Sequence, residues 1–397
     1  MTSKEIKNIS PVKITNPKYV DLISPWDLKK IGKIECIGKK EINNILNISS
    51  NAFLSSEKYL SKIQRLKILA KCRKKLSQNS KKFSDIIALE GGKPLKDAKI
   101  EVERAINGLE LCAEALKKSH GTEIPMNLNN ASVKKIAFTR KFPIGPVFAI
   151  SAFNHPLNLI VHQVGPAVAA GCPVIIKPSL DTPATCYEFI KLLLESGLPE
   201  EFCQMINIEN HLITQKIVGD PRISFFSFIG SSNVGWKLKS MLPPGAKCAM
   251  EHGGIGSVII DKGTNLKKFL PSILRGAFYH AGQVCVSVQK VIIHEDLIDE
   301  FIGLAKKSIS KIKVGNPSSI NTDVGPLIRP SEVKRIDKII KNAIKDGAEL
   351  VCGGISKSKT TYECTVLKNP KESSEVSCKE IFGPVLCVYS YKSIDHA

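Results

Sequence analysis

Short apolar runs alternating with helix-length stretches fill the middle of this chain, and they constrain its fold more than any other feature. Val147-Phe148-Ala149-Ile150 and Pro173-Val174-Ile175-Ile176 are apolar throughout, as strands covered on both faces are. Between them Leu157 to Ala170 reads as a helix closed by Gly171. A second helix, Ala184 to Leu194, precedes Gly197 and Pro199, and the run Ile223 to Phe228 then enters Gly230. Strands and helices in this rhythm predict βαβ units and a parallel sheet. A second alternating region starts at Val258-Ile259-Ile260, with a helix expected around Cys285, a strand at Lys290–Ile293 and a helix from Leu297 to Ile312. The expected class is α/β with two α/β domains.

Ahead of this lies a helical region, read from Glu57 to about Lys118. Leu60, Ile63, Leu66, Leu69 and Ala70 form one periodic set; Val102, Ile106, Leu109 and Leu116 form another. Glu90-Gly91-Gly92-Lys93-Pro94 breaks the two by composition. The polar stretch after Glu123 predicts a projecting hairpin over 123–135. The domain reading is therefore 1–122 with 136–254, the hairpin, and 255–397.

The net charge of +20, from 57 basic against 37 acidic residues, raises the question of nucleic acid. The cations are nearly all lysine, arginine occurs at only eight positions, and no aromatic platform interleaves stretches such as Lys71-Cys72-Arg73-Lys74-Lys75. These fit the solvated face of a helix, so no nucleic-acid partner is expected; the positive field suits an anionic cofactor or substrate. No apolar run is long enough to cross a bilayer, and Met1 to Lys7 lacks the apolar centre of a secretory signal. The twelve cysteines are scattered without any Cys-x-x-Cys pair. The expectation is a cytoplasmic chain with no membrane contact and no metal site, whose cysteines mostly fill the core.

Four local motifs could carry chemistry. Gly230-Ser231-Ser232-Asn233-Val234-Gly235 follows a strand and opens a helix, where backbone N–H groups can face a phosphate; an ordinary strand-to-helix turn reads the same way. Lys177-Pro178-Ser179 stands at the carboxyl end of a strand, where open α/β sheets bind ligands, though surface lysines also occur there. Glu251-His252-Gly253-Gly254 offers a carboxylate that could activate water, or a tight turn. Gly282-Gln283-Val284-Cys285 places a thiol after a flexible turn; a helix starting there would favour the thiolate.

Taken in order, these motifs resemble the aldehyde dehydrogenase superfamily, from Ile14-Thr15-Asn16-Pro17 to the last residues. Pro143-Ile144-Gly145-Pro146-Val147, Phe153-Asn154-His155-Pro156, Gly325-Pro326-Leu327 and Glu380-Ile381-Phe382-Gly383-Pro384-Val385 complete the set. The resemblance implies two Rossmann-like domains, one for the cofactor and one catalytic, and an oligomerisation hairpin. It implies Cys285 as nucleophile, Asn154 with the Cys285 backbone N–H as oxyanion donors, and Glu251 as base for the hydrolytic water. It implies that Lys177 holds the adenosine ribose and Ser231 with the adjacent helix end the pyrophosphate, with Ser179, Gly230 and Gly235 also at the cofactor. Glu380 would hold the nicotinamide ribose, with Phe382 near the ring. The cofactor is NAD or NADP and no metal is needed.

Three departures qualify the resemblance. NAD-selective members often carry a glutamate three residues after the ribose lysine; here Leu180 stands there, which admits NADP beside NAD. His155 replaces an apolar residue beside Asn154. With Arg104 it suggests a small polar or anionic aldehyde, as in the lactaldehyde and non-phosphorylating glyceraldehyde-3-phosphate branch; a histidine bonded to backbone is the alternative. Finally, the family carries roughly a further fifth of sequence beyond the Glu380 motif, including an intersubunit strand. A fragment or truncated gene is expected, leaving a homo-oligomer open and a nucleotide-binding remnant as a rival. Glu251 argues against a second rival, a CoA-acylating dehydrogenase.

Overall fold

The computed structural model describes residues 4–55 and 59–397. Met1–Ser3 and Glu57, where the leader and helical readings began, lie outside the described residues. Strands β1 (Lys4–Ile6), β2 (Lys18–Ile23) and β3 (Lys30–Cys36) form a small sheet in the order β1-β3-β2. The apolar runs here are too interrupted by lysine for the sequence reading to have found it. Helices α1 (Ile42–Leu54), α2 (Lys62–Gln78), α3 (Ser80–Gly91) and α4 (Leu95–Lys118) follow. The expected break stands where α3 stops on Gly92, at φ +68°, a conformation glycine adopts without penalty.

Strands β4 (Glu123–Ile124) and β5 (Ala137–Phe138) pair antiparallel. The hairpin's second strand therefore lies beyond the 123–135 range, because the polar composition that suggested the range belongs mostly to the connecting turn.

The first large sheet is wholly parallel. Its strands are β6 (Val147–Ile150), β7 (Val174–Lys177), β8 (Cys203–Met205), β9 (Phe225–Ile229) and β10 (Lys247–Glu251), in the order β10-β9-β6-β7-β8. Helices α5 (Asn158–Ala170), α6 (Pro183–Leu194), α7 (His211–Val218) and α8 (Ser232–Lys239) connect them. Phe148 and Ile175 join the core on one face, while Val147, Ala149, Val174 and Ile176 join the core on the other. Both faces are covered, which explains the unbroken apolar runs. The chain winds from β6 to one side and then returns to the other, so a crevice opens at the carboxyl ends beside β6.

The second sheet holds β11 (Gly256–Ile260), β12 (Val288–His294), β13 (Glu349–Cys352), β14 (Thr365–Lys368) and β15 (Val385–Tyr391), in the order β11-β12-β15-β14-β13. Only β13 is antiparallel to its neighbour. Helices α9 (Leu266–Phe278), α10 (Ile298–Ile309), α11 (Pro330–Lys345) and α12 (Glu375–Cys378) complete this unit. The helix expected around Cys285 does not form. His280 (φ +49°), Ala281 (φ +56°) and Gly282 (φ +70°) are left-handed in succession, which no right-handed helix can continue. Among the described residues no helix is long and apolar enough to cross a membrane.

Helices α5 and α6 begin without a cap from their own N-cap side chains. Buried glutamates on the preceding helices supply the missing acceptors. Glu101 on α4 accepts the amides of Leu157 (2.9 Å) and Asn158 (3.1 Å), and Glu90 on α3 accepts those of Ala184 and Thr185, both 2.8 Å. Glu101 is also ion-paired to Lys93, and both side chains are fully buried. Burial pushes the Lys93 ammonium down from its ordinary range, and Glu101 opposes that shift. Glu101→Ala would strand a buried cation and two helix amides, so we expect a loss of about 3–5 kcal/mol in urea unfolding.

Candidate active site

Glu251 ends β10 and Gly256 starts β11, so the carboxyl edge of the first sheet abuts the amino edge of the second. A cavity of about 1840 Å³ occupies this seam. Asn154 and His155 reach it from the loop after β6, Lys177 and Ser179 from the end of β7, and Gly230 and Ser231 from the end of β9. Glu251 lines it from the end of β10, and Cys285, Glu380 and Phe382 line it from the second unit. Gly235 does not line it; its backbone underlies His252, whose Cε1 lies 2.1 Å from where a Cβ would sit. Arg104 is exposed on α4 and does not line it either, although its charge reaches His155 and His162.

Cys285 is exposed, whereas the other cysteines, Cys378 apart, are buried or partly so. It occupies the turn that leads into β12. With no helix starting there, the expected helix-end stabilisation of the thiolate is absent. Burial pushes the Cys285 thiol up, and the Glu380 and Glu251 carboxylates add to the shift; the backbone N–H groups of Cys285 and Val286 oppose it. Those same two N–H groups face the sulfur, where an oxygen on an attached carbon would develop charge.

Gln283 holds the turn in place. Its side-chain Nε2 donates to Pro326 O (3.3 Å) and His280 O (3.2 Å), and its Oε1 accepts from Ile328 N (2.9 Å). Its backbone carbonyl accepts from Asn154 Nδ2 (2.9 Å), which orients the amide beside Cys285. The sequence reading quoted Gln283 but gave it no role, since a buried amide gives no sign of its partners. Gln289 does the same for the opposite wall, accepting from Ile381 N (2.8 Å) and donating to Val376 O (3.0 Å) and Lys379 O (2.7 Å). Gly282 packs against the Gly383 carbonyl, 2.0 Å from where a Cβ would stand, so a side chain there would push these two loops apart.

Glu380 lies over Gly253, with its carboxylate about 2.0–2.1 Å from the position of a Cβ. Burial raises the Glu380 carboxyl above its usual range, offset by the Gly254 amide and by Arg335. One of its oxygens is buried with no partner. Phe382 makes an edge contact with Phe153, ring centroids 5.9 Å apart.

His155 differs from expectation. It is buried against Tyr279 (6.0 Å between centroids), and burial, with Lys93, His280, Arg104 and His162 adding repulsion, holds its imidazole well below the ordinary range. It is neutral near pH 7 and therefore offers hydrogen bonds instead of a positive charge. His162, one helical face along α5 and lining the cavity, went unread in the sequence; it lies within electrostatic reach of both Arg104 and Glu251. Its signal was the three-residue spacing of Leu159 and His162 on α5, both of which line the cavity. Among the described residues no group of three or more His, Cys, Asp or Glu side chains is placed to hold a metal.

A profile of the aldehyde dehydrogenase family matches residues 12–397. The chain belongs to the aldehyde dehydrogenase family. It is therefore an enzyme of a class that oxidises aldehydes with NAD or NADP. It is 32% identical over 381 residues to a 3-sulfolactaldehyde dehydrogenase of Priestia aryabhattai, covering 96% of this chain and 79% of that protein. It is 32% identical over 376 residues to a lactaldehyde dehydrogenase of Methanocaldococcus jannaschii, covering 94% and 79%. Among solved structures it is similar to aldehyde dehydrogenase 21 of Physcomitrella patens in complex with succinate (TM-score 0.94, 28% identity, covering 100% of this chain and 82% of that one). It is also similar to a glyceraldehyde-3-phosphate dehydrogenase of Methanocaldococcus jannaschii complexed with NADP (TM-score 0.90, 30% identity, covering 96% and 82%).

The raised Cys285 thiol sets a pH dependence. Alkylation by iodoacetamide requires thiolate, so its rate is expected to keep rising above the ordinary thiol range of about 8.5. Glu380→Gln removes a neighbouring negative charge and is expected to move the rise to lower pH; an unmoved profile would contradict this placement of the carboxylate.

Proposed function

We propose that the chain oxidises a small polar or anionic aldehyde to its carboxylate, with Cys285 as nucleophile, Asn154 as oxyanion donor and Glu251 as general base. The observation that carries the reading is the joint facing of an exposed thiol, an oriented amide and a carboxylate into one cavity. The Cys285 sulfur, once deprotonated, bonds to the aldehyde carbon and the carbonyl π pair moves to oxygen. The resulting oxyanion is stabilised by the second Asn154 Nδ2 proton and the Cys285 amide. A nicotinamide cofactor, when bound, would supply the hydride acceptor. After hydride loss the acyl group remains on sulfur as a thioester. Glu251 removes a proton from water, the oxygen attacks the thioester carbon, and the C–S bond breaks to return the thiolate and release the acid.

The residues present fit a nicotinamide dinucleotide. α8 begins at Ser232 with no side-chain cap on its first amides, which suits a pyrophosphate. Lys177 has one weak bond, 3.4 Å to Pro178 O, and can still donate to a ribose. Burial lowers its ammonium to about 8, so it remains largely charged at neutral pH. The unpartnered Glu380 oxygen can accept from a second ribose. His155 as a neutral donor, with His162 and the more distant charge of Arg104, favours a polar or anionic substituent on the aldehyde. The named activities of the sulfolactaldehyde and lactaldehyde relatives support the same class.

Reduction of NAD or NADP is to be followed spectrophotometrically with lactaldehyde, glycolaldehyde, sulfonated and phosphorylated aldehydes, and hexanal. We expect the polar substrates to be preferred, no turnover from Cys285→Ala, and about a 100-fold or greater loss of kcat from Asn154→Ala. Glu251→Gln is expected to accumulate the acyl-enzyme, visible by intact-mass spectrometry. Preference for hexanal, or activity surviving Cys285→Ala, would overturn the proposal.

A further inference from the structure

Leu180 stands three residues after Lys177, where NAD-selective members of the family often carry a ribose-binding glutamate. A carboxylate from another strand end occupies the same wall. Pairing with β7 extends one residue past the end of β8, through Ile206 N to Ile176 O (3.0 Å). Lys177 and the segment Ile208-Glu209 consequently leave the sheet at adjacent positions. Glu209, Ile208 and His211 line the cavity beside Lys177, Ser179 and Leu180. Cys36, on β3 beneath them, lies within electrostatic reach of both Lys177 and Glu209.

The nearer acid, Asp181, is not available for this task. Arg329 grips both of its oxygens, with Nε to Oδ1 at 2.9 Å and Nη2 to Oδ2, and Ser179 Oγ donates to Oδ2 at 3.1 Å. That grip joins the loop after β7 to the start of α11. Glu209 has a looser partner: Lys18 Nζ at 2.5 Å, with both side chains substantially exposed (71% and 42%). An exposed pair of this kind contributes little to stability, so the carboxylate can exchange Lys18 for a ligand hydroxyl at small cost.

We propose that Glu209, paired with Lys18 on the rim of the cofactor cleft, is the determinant that selects NAD over NADP. Its carboxylate accepts hydrogen bonds from the adenosine ribose hydroxyls, and it repels a 2′-phosphate at the same place. The inference rests on the dehydrogenase reading above. It assigns to the loop after β8 a task that Leu180 cannot perform.

Binding of NAD and NADP is to be measured by isothermal titration calorimetry on the full chain, wild type beside Glu209→Gln and Lys18→Met. The wild type is expected to bind NAD more tightly, and Glu209→Gln to reduce the NAD:NADP selectivity by about 10-fold or more through loss of like-charge repulsion. Lys18→Met uncovers the carboxylate and is expected to raise the selectivity. Since the effect is electrostatic and near the surface, discrimination should shrink with added salt. A wild type that prefers NADP, or a ratio unchanged by Glu209→Gln, overturns the assignment while leaving the dehydrogenase reading intact. Failure to bind either nucleotide overturns both.

Discussion

The hydrogen bond from Asn154 Nδ2 to the Gln283 carbonyl joins the two halves of the site. Asn154 belongs to the loop after β6 and Gln283 to the turn before β12, so neither sheet alone can place an amide beside the Cys285 sulfur. Everything behind this bond serves to hold its two ends still. On one side, Glu101 caps the start of α5 and thereby fixes the loop that carries Asn154. On the other, the Gln283 side chain is tied to Pro326 and Ile328, so the turn is anchored to the segment that enters α11. Buried amide and carboxylate bonds suit this work, since breaking one leaves a desolvated partner.

The electrostatics of the cavity follow from the same crowding. Glu251 and Glu380 converge on Cys285, and both raise its proton affinity in the absence of a bound cation. The cavity thus has a negative side around Cys285. Burial holds the His155 imidazole well below its ordinary range, with Lys93, His280 and Arg104 adding repulsion.

Much of the site was legible because its chemistry is carried by short contiguous motifs at strand ends, each with a turn residue beside it. Lys177, Glu251, Cys285 and Glu380 all line one cavity, and the strands at β6, β7, β9 and β12 lie within about two residues of their apolar runs. The helix around Cys285 was misread because apolar spacing says nothing of three consecutive left-handed residues. His155 was read with Arg104 as a substrate contact, and nothing local showed its burial against Tyr279 with Lys93, 62 positions away in sequence, behind it. Arg104 was placed at the substrate, although its helical face turns it to solvent. The β1–β3 sheet was unread because its strands are short and lysine-rich.

Sequence by itself determined the alternating α/β architecture and the residue types available for thiol and carboxylate chemistry, since both are written in local periodicity and contiguous motifs. Only the tertiary structure decided which partner each of those groups meets: Gln283 for Asn154, Arg329 for Asp181, Glu101 for Lys93, and Lys18 for Glu209. Those pairings span up to about 190 residues of chain, and two of them, Gln283 with Asn154 and Arg329 with Asp181, depend on the end-to-end abutment of two sheets that no local pattern encodes.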